Sequence, residues 1–405
     1  MLSWEPSLIG SDAERARAAF VPTYEYLSRR VADGLQEFSL CGGAAGVAVS
    51  LHECEQITSE ITGWQRPLRE SVAALRTLRL APGLWTGFSG ITWARTHLLG
   101  PGRTSKIDSR LISWLTAGGP GAEEFDLVSG IAGIGVYALT LGQHEPGGEL
   151  VELIVGRLAA RAEPQKVGVA WATPQFRADR TTTGRLNLGL AHGQAGVVAV
   201  LASIAATPQP PSGTLELLGE AASFLTAQLI PRPSPYAFSQ WIGPPRPPAC
   251  PRLAWCYGDA GIAIALTKAA SILGDSDTSR IASEVARRAA ERSIESALVV
   301  DAGLCHGAAG LGHLFARLRQ LTGEPSCAEA AHRWLMHAIA LHLPEPAAGP
   351  FPMSWPANDG GRIWRADLSL LTGAAGAALA LLSACSREEP TWDAVFLGGP
   401  IGPRE

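Results

Sequence analysis

The chain has 405 residues, of which 46% are hydrophobic and 17% charged. That is enough to bury a large core and too apolar for a disordered polymer. Its formal net charge is −4, with no long run of one sign, so no basic stripe answers a phosphate backbone and a nucleic-acid partner is excluded.

Seven cysteines stand at positions 41, 54, 250, 256, 305, 327 and 385. An odd number at irregular spacing in a large chain reads as free thiols of a reducing compartment, not as a disulfide framework. The first twenty residues are partly acidic and hold no apolar segment, so no signal peptide is expected and the location predicted is cytoplasmic. Leu368–Cys385 is uncharged, yet small residues interrupt it, and a helix buried on all sides explains it better than a membrane span.

From the N-terminus onward, a Gly-x-x-Gly unit recurs seven times, with its first glycine at 43, 87, 130, 193, 258, 307 and 373. Each is followed by a small, uniformly apolar run: VAVSL, ITWA, IGVYAL, VVAVL, IAIAL, LGHLF and AALALL. Such runs read as inner helices in close contact with their neighbours. Between the units lie amphipathic segments at helical spacing, among them 11–35, 149–163, 214–230, 278–298 and 328–343, which fit outer helices with one wet face. Period-two alternation is scarce. The expected fold is therefore all-α: about seven outer–inner helix pairs closed into an α,α-toroid, with residues 1–405 forming a single domain. An open solenoid is the alternative, though the terminal units lack polar capping.

The three longest spacings enclose Pro/Gly/Trp-rich inserts at 167–185, 231–251 and 344–365. Repeat proteins place inserts on one face, often the binding face. The aromatic content of these inserts suits an extended peptide, though ordered loops would look the same.

Chemistry concentrates at one repeat position. The two residues before each first glycine are Cys41-Gly42, Trp85-Thr86, Val128-Ser129, Ala191-His192, Cys256-Tyr257, Cys305-His306 and Leu371-Thr372. If the ring closes, these pairs converge at one end of its lumen. Cys256, Cys305 and His306 together offer two thiolates and one imidazole, a tetrahedral zinc set with its fourth position open. The turn before Gly307 lets the adjacent Cys305 and His306 share one ion. Cys41 occupies the equivalent position, but its neighbour is glycine. Cys250 reads as a structural thiol, and His332, His337 and His342 share no helical face.

At these residues the chain resembles the lanthionine cyclase (LanC-like) family. AWCYGDAG and LCHGAAGL look like its zinc motifs, and FDLVSGIAGIG, NLGLAHGQAG, PRLAWCYGDAG and LCHGAAGLG stand in the family's order. The resemblance implies one Zn²⁺ on Cys256, Cys305 and His306. It implies an acid/base role for His192, site positions for Asp126 and Arg252, and a tyrosine, Tyr257, following the first cysteine ligand. The chemistry suits these residues independently. Adding a thiol to dehydroalanine or dehydrobutyrine needs a thiolate, stabilisation of enolate charge, and a proton for the α-carbon. His192 titrates near working pH, Arg252 can face an enolate oxygen, and Asp126 can set an imidazole tautomer.

The reading is thus a zinc-dependent cyclase forming lanthionine and methyllanthionine rings in a dehydrated precursor peptide that carries a leader. A separate dehydratase and a transporter would be its partners. Addition of glutathione or another small thiol to dehydrated proteins, and a non-catalytic peptide-binding scaffold, stay open as alternatives. Zinc-dependent prenyl transfer is disfavoured, because its metal set typically includes a carboxylate.

Overall fold

In a computed structural model describing residues 2–102, 105–119, 121–142, 146–173, 185–243, 251–344, 349–357 and 360–399, helices alternate as outer–inner pairs. They are α1 (Gly10–Asp33) with α2 (Ala44–Thr58), α3 (Gln65–Ala74) with α4 (Phe88–Leu99), α5 (Ser105–Ala117) with α6 (Ile131–Thr140), and α7 (Gly147–Arg161) with α8 (Gln194–Ala205). Then follow α9 (Thr214–Thr226) with α10 (Asp259–Leu273), α11 (Ser276–Glu291) with α12 (Ala308–Thr322), and α13 (Pro325–Ala340) with α14 (Ala374–Cys385).

The sequence pattern explains the two kinds. In α8 every residue from Gln194 to Ile204 is buried, and in α14 every residue from Ala374 to Ala384. Small side chains let such helices be enclosed on all sides, and each fully buried leucine contributes about 1.5–3 kcal/mol of transfer free energy. In α7 only one stripe is buried, with Leu150, Val151, Ile154, Val155 and Leu158 at three- and four-residue spacing. Among the described residues no helix is long and apolar enough to cross a membrane.

Every inner helix starts at the first glycine of its repeat. Most of these glycines have ordinary extended backbone, for example φ −119° at Gly43 and −104° at Gly130, so left-handed strain is not the reason for them. The reason is space: a Cβ on Gly43, Gly87, Gly130, Gly193 or Gly373 would collide with backbone six residues earlier. The loop closes there by a hydrogen bond, as where Ile131 N–H donates to Glu124 C=O at 3.0 Å and Ala374 N–H to Asp367 C=O at 2.8 Å. Gly258 differs. Its φ of 98° lies where a side chain is strained.

The chain divides into two compact units. The first comprises residues 1–80, 252–255 and 290–392. Its inner helices pack in the row α12–α14–α2, with α13 over α12 and α14, α1 over α14 and α2, and α3 against α2. The second comprises 81–251, 256–289 and 393–405. Its inner row is α4–α6–α8–α10, with α7 against α6 and α9 over α8 and α10.

Strands are short antiparallel pairs: β1 (Glu163–Pro164) with β2 (Val169–Ala170), β3 (Leu186–Asn187) with β4 (Trp241–Ile242), and β5 (Met353–Pro356) with β6 (Arg362–Arg365). All three pairs involve residues in or beside the inserts. Positions 174–184, 244–250, 345–348 and 358–359 of those inserts, Cys250 among them, lie outside the described residues.

Candidate metal centre

Backbone hydrogen bonds join the residues two or three positions before the glycines. In the first unit Cys305 N–H donates to Leu371 C=O at 2.8 Å, Leu371 N–H to Cys41 C=O at 3.1 Å, and Trp255 N–H to Cys305 C=O at 3.1 Å. In the second, Trp85 N–H donates to Val128 C=O, Leu127 N–H to Ala191 C=O, and Ala191 N–H to Cys256 C=O, at 3.0, 3.1 and 3.2 Å. Both backbone poles of Cys305 are thereby held, as are both of Ala191, next to His192. Cys256 follows Trp255 by one peptide bond.

The ligand atoms of Cys256, Cys305 and His306 all lie within 4.8 Å of one another. The two cysteines are buried and His306 is partly exposed. Zinc bonds of about 2.3 Å to sulfur and about 2.0 Å to nitrogen put tetrahedral ligands roughly 3.5 Å apart. An ion need only draw in slightly a set already gathered, and a donor set of two sulfurs and one imidazole nitrogen suits zinc better than hard cations. This is the only such group among the described residues.

Cys41 stays out of it. Burial, and then the charges of Glu37 and Asp367, push its thiol up to about 12. Such a thiol resists becoming the thiolate that binds metal.

Asp126 and His192, 66 residues apart in sequence, meet in the second unit. Asp126 Oδ2 lies 2.7 Å from His192 Nδ1. A carboxylate can only accept, so Nδ1 carries a proton and donates it in this bond. Asp126 is fixed in turn, because its Oδ1 accepts the Ser129 and Gly130 N–H groups at 2.7 and 3.0 Å. Burial alone would depress the His192 imidazole. The Asp126 hydrogen bond and charge, then the charges of Cys256 and Glu124, outweigh it and raise the pKa above the ordinary histidine value. The His192 side chain remains 30% exposed, so a substrate can reach it.

Tyr257 is half-buried, with its ring 6.1 Å from that of His192. Gly189 admits this approach, since a Cβ there would come within 2.5 Å of Cys256 O and 2.7 Å of Tyr257 Cδ1. Arg252 belongs to the first unit and is half-buried on the strap whose Leu253 N–H donates to Ala297 C=O at 3.0 Å. Among the described residues its guanidinium has no hydrogen bond or ion pair.

Sequence reasoning missed Glu124, whose charge helps raise the His192 pKa. Its signal was available: it stands six residues before Gly130, where the backbone carbonyl closes the loop. Two further histidines have structural partners, His332 Nε2 lying 2.9 Å from Asp12 Oδ2 and His342 packing against Phe351.

Comparison with known proteins matches residues 11–397 to the family model described as lanthionine synthetase C-like protein. The structure is similar to that of nisin cyclase, with TM-score 0.73 and 18% identity over 94% of this chain and 96% of that one. The likeness shows the fold, an α,α-toroid. Looser overlaps are found with a cellobiose 2-epimerase from Bacillus thermoamylovorans (TM-score 0.49, 10% identity, 93% and 99% covered) and an inactive α-1,6-mannanase variant from Salegentibacter (0.47, 12%, 90% and 98%). No curated protein matches the chain.

Proposed function

Because the chain belongs to the lanthionine synthetase C-like family, we propose that it is a zinc-dependent lanthipeptide cyclase. It would add cysteine thiols of a dehydrated precursor peptide to dehydroalanine or dehydrobutyrine, closing lanthionine and methyllanthionine rings. The observation that carries this reading is the gathering of Cys256, Cys305 and His306, with the aspartate-oriented imidazole of His192 supporting it. The family match spans 11–397, which supports one cyclase domain, and free cysteines fit the reducing cytoplasm. A partner dehydratase must supply the dehydrated residues.

Cys256, Cys305 and His306 would hold the zinc, which when bound supplies an electrophilic centre that lowers the pKa of a coordinated substrate thiol. His192 handles the proton. With Nδ1–H committed to Asp126, Nε2 presents the lone pair that accepts the thiol proton. The same nitrogen returns that proton to the α-carbon once sulfur has bonded to the β-carbon, so the addition leaves no net change in mass. Arg252, a permanent cation, neutralises the negative charge that collects on the carbonyl oxygen between those events. Tyr257 packs beside His192 and limits its swing.

His192→Ala tests the assignment. It should keep its zinc and bind dehydrated peptide, while ring closure slows roughly 10²- to 10⁴-fold, the usual contribution of a positioned acid or base. The count of free thiols after alkylation reports closure, corrected for the uncatalysed reaction. Closure at the wild-type rate would remove His192 from proton transfer.

A further inference from the structure

We propose that Gln194 is a positioning residue for the Asp126–His192 pair, clamping the first insert behind it, a proposal that rests on the cyclase reading. Five of the seven inner helices open on alanine, phenylalanine or isoleucine, whereas α8 and α10 open on Gln194 and Asp259. The position is enclosed, Gln194 being 1% exposed and Asp259 0%. A polar side chain there needs partners, because a buried polar group left without one is costly. Both side chains find theirs on the backbone of the insert that precedes them. Asp259 Oδ2 and Oδ1 accept the Ala237 and Phe238 N–H groups at 2.8 and 3.0 Å. Gln194 Oε1 accepts the Trp171 N–H at 2.9 Å, and its Nε2 donates to the Trp171 C=O at 2.8 Å. The amide therefore pairs with Trp171 as a residue of a neighbouring strand would, satisfying both of its backbone groups.

Trp171 in turn supports the other member of the pair. Its ring is 1% exposed, its Nε1–H donates to Leu158 C=O at 2.9 Å, and its centroid lies 6.4 Å from that of Phe125. Phe125 is joined by a peptide bond to Asp126, and Gln194 follows His192 by two residues. All of these residues belong to the second unit. The contacts close a circuit that runs from Asp126 to His192 through the 2.7 Å bond, along the chain to Gln194, through the amide to Trp171, and back by way of Phe125. The two loops are also joined by Leu127 N–H donating to Ala191 C=O at 3.1 Å. One backbone bond of this kind is a hinge. A second tie away from it removes the rotation and holds the imidazole against the carboxylate. Such alignment matters to the reaction, since a displacement of about 1 Å costs on the order of 10²-fold in rate.

Gln194→Met keeps nearly the same side-chain length and removes both bonds. Its kcat for ring closure should fall roughly 10- to 100-fold, with KM within about twofold because the clamp touches no substrate. Long-range proton–nitrogen NMR of protein carrying ¹⁵N-histidine reports which ring nitrogen holds the proton, His192 being identified by the signals that His192→Ala lacks. With His192 neutral, wild type should hold the proton on Nδ1, and Gln194→Met should show a mixture of the two tautomers. Arg317→Met, a destabilising change in the first unit, should keep the wild-type tautomer, which separates positioning from stability. Gln194→Glu covers a Gln194→Met that fails to fold. Its ionised carboxylate accepts the Trp171 N–H but repels the C=O, whereas the protonated acid restores both bonds. Its rate relative to wild type should therefore rise as pH falls.

A wild-type tautomer or a wild-type kcat in Gln194→Met overturns the proposal, as does a Gln194→Glu whose relative rate is flat across pH. The tautomer readout needs no ring closure. A wild type that closes no ring sinks the cyclase reading while the spectra still judge the clamp. A wild type that closes rings beside an unaffected Gln194→Met sinks the clamp alone.

Discussion

Replacing Asp126 by asparagine isolates what the carboxylate does for His192. The side chain keeps its shape, and its oxygen can still accept the Ser129 and Gly130 N–H groups that hold Asp126 Oδ1 at 2.7 and 3.0 Å. The amide NH2 then faces His192 Nδ1 where a carboxylate oxygen stood at 2.7 Å. Two donors cannot pair, so the imidazole must move its proton to Nε2, where it blocks acceptance of a thiol proton. Losing one charge-assisted hydrogen bond costs about 1.5–3 kcal/mol, or roughly 10- to 150-fold in rate. A fully reversed tautomer raises the loss toward the roughly 10⁴-fold upper range of a positioned base. The pH profile adds a signed expectation. The Asp126 hydrogen bond and charge raise the His192 pKa against the opposing effect of burial, so their removal moves the rate limb belonging to His192 to lower pH. The raised pKa also means that the ion pair stabilises the fold fully below the unfolded histidine pKa. That stabilisation fades as pH rises through the folded value, so Asp126→Asn should be most destabilised on the acid side. Single-turnover ring closure, followed by free-thiol count across pH, measures the rate. Wild-type closure with an unshifted profile would refute the tautomer argument, and loss of zinc would show that Asp126 supports the metal set instead.

Cys305→Ala should lose its metal and ring closure together. Metal analysis of protein purified without added zinc reads this, with circular dichroism to separate metal loss from unfolding. Arg317→Met removes a buried guanidinium that donates to Glu389 Oε1 at 2.5 Å and Pro390 C=O at 2.6 Å and lies 4.7 Å from the Trp4 ring. It should cost about 2–4 kcal/mol, seen as a lower urea midpoint with zinc content and kcat at moderate temperature unchanged.

Much of this protein was legible in one dimension. Seven Gly-x-x-Gly units set the number of inner helices, because each demands a turn with no room for a Cβ and is followed by a run that only an enclosed helix can bury. W-C-Y-G and L-C-H-G stood out because thiols and an imidazole occupied a shared frame, so the candidate ligands Cys256, Cys305 and His306, which the structure gathers within 4.8 Å, could be proposed from spacing. Long-range partnerships could not be read that way. That Asp126 meets His192, that Trp255 N–H is taken by Cys305 C=O, and that Cys41 sits among acids are results of how successive loops stack. No local pattern encodes the pairings Asp126–His192, Trp255–Cys305 and Cys41–Asp367, since each joins residues dozens to hundreds of positions apart. The third insert makes the same point: its tryptophans were visible in the sequence, but their exposure on a hairpin tied to the Cys305 loop depends on Ser354 finding Asp301. Local sterics and hydrophobic periodicity are properties of neighbours along the chain, and they determined the helices. The pairing of the site residues is a property of neighbours in space, and only packing could decide it.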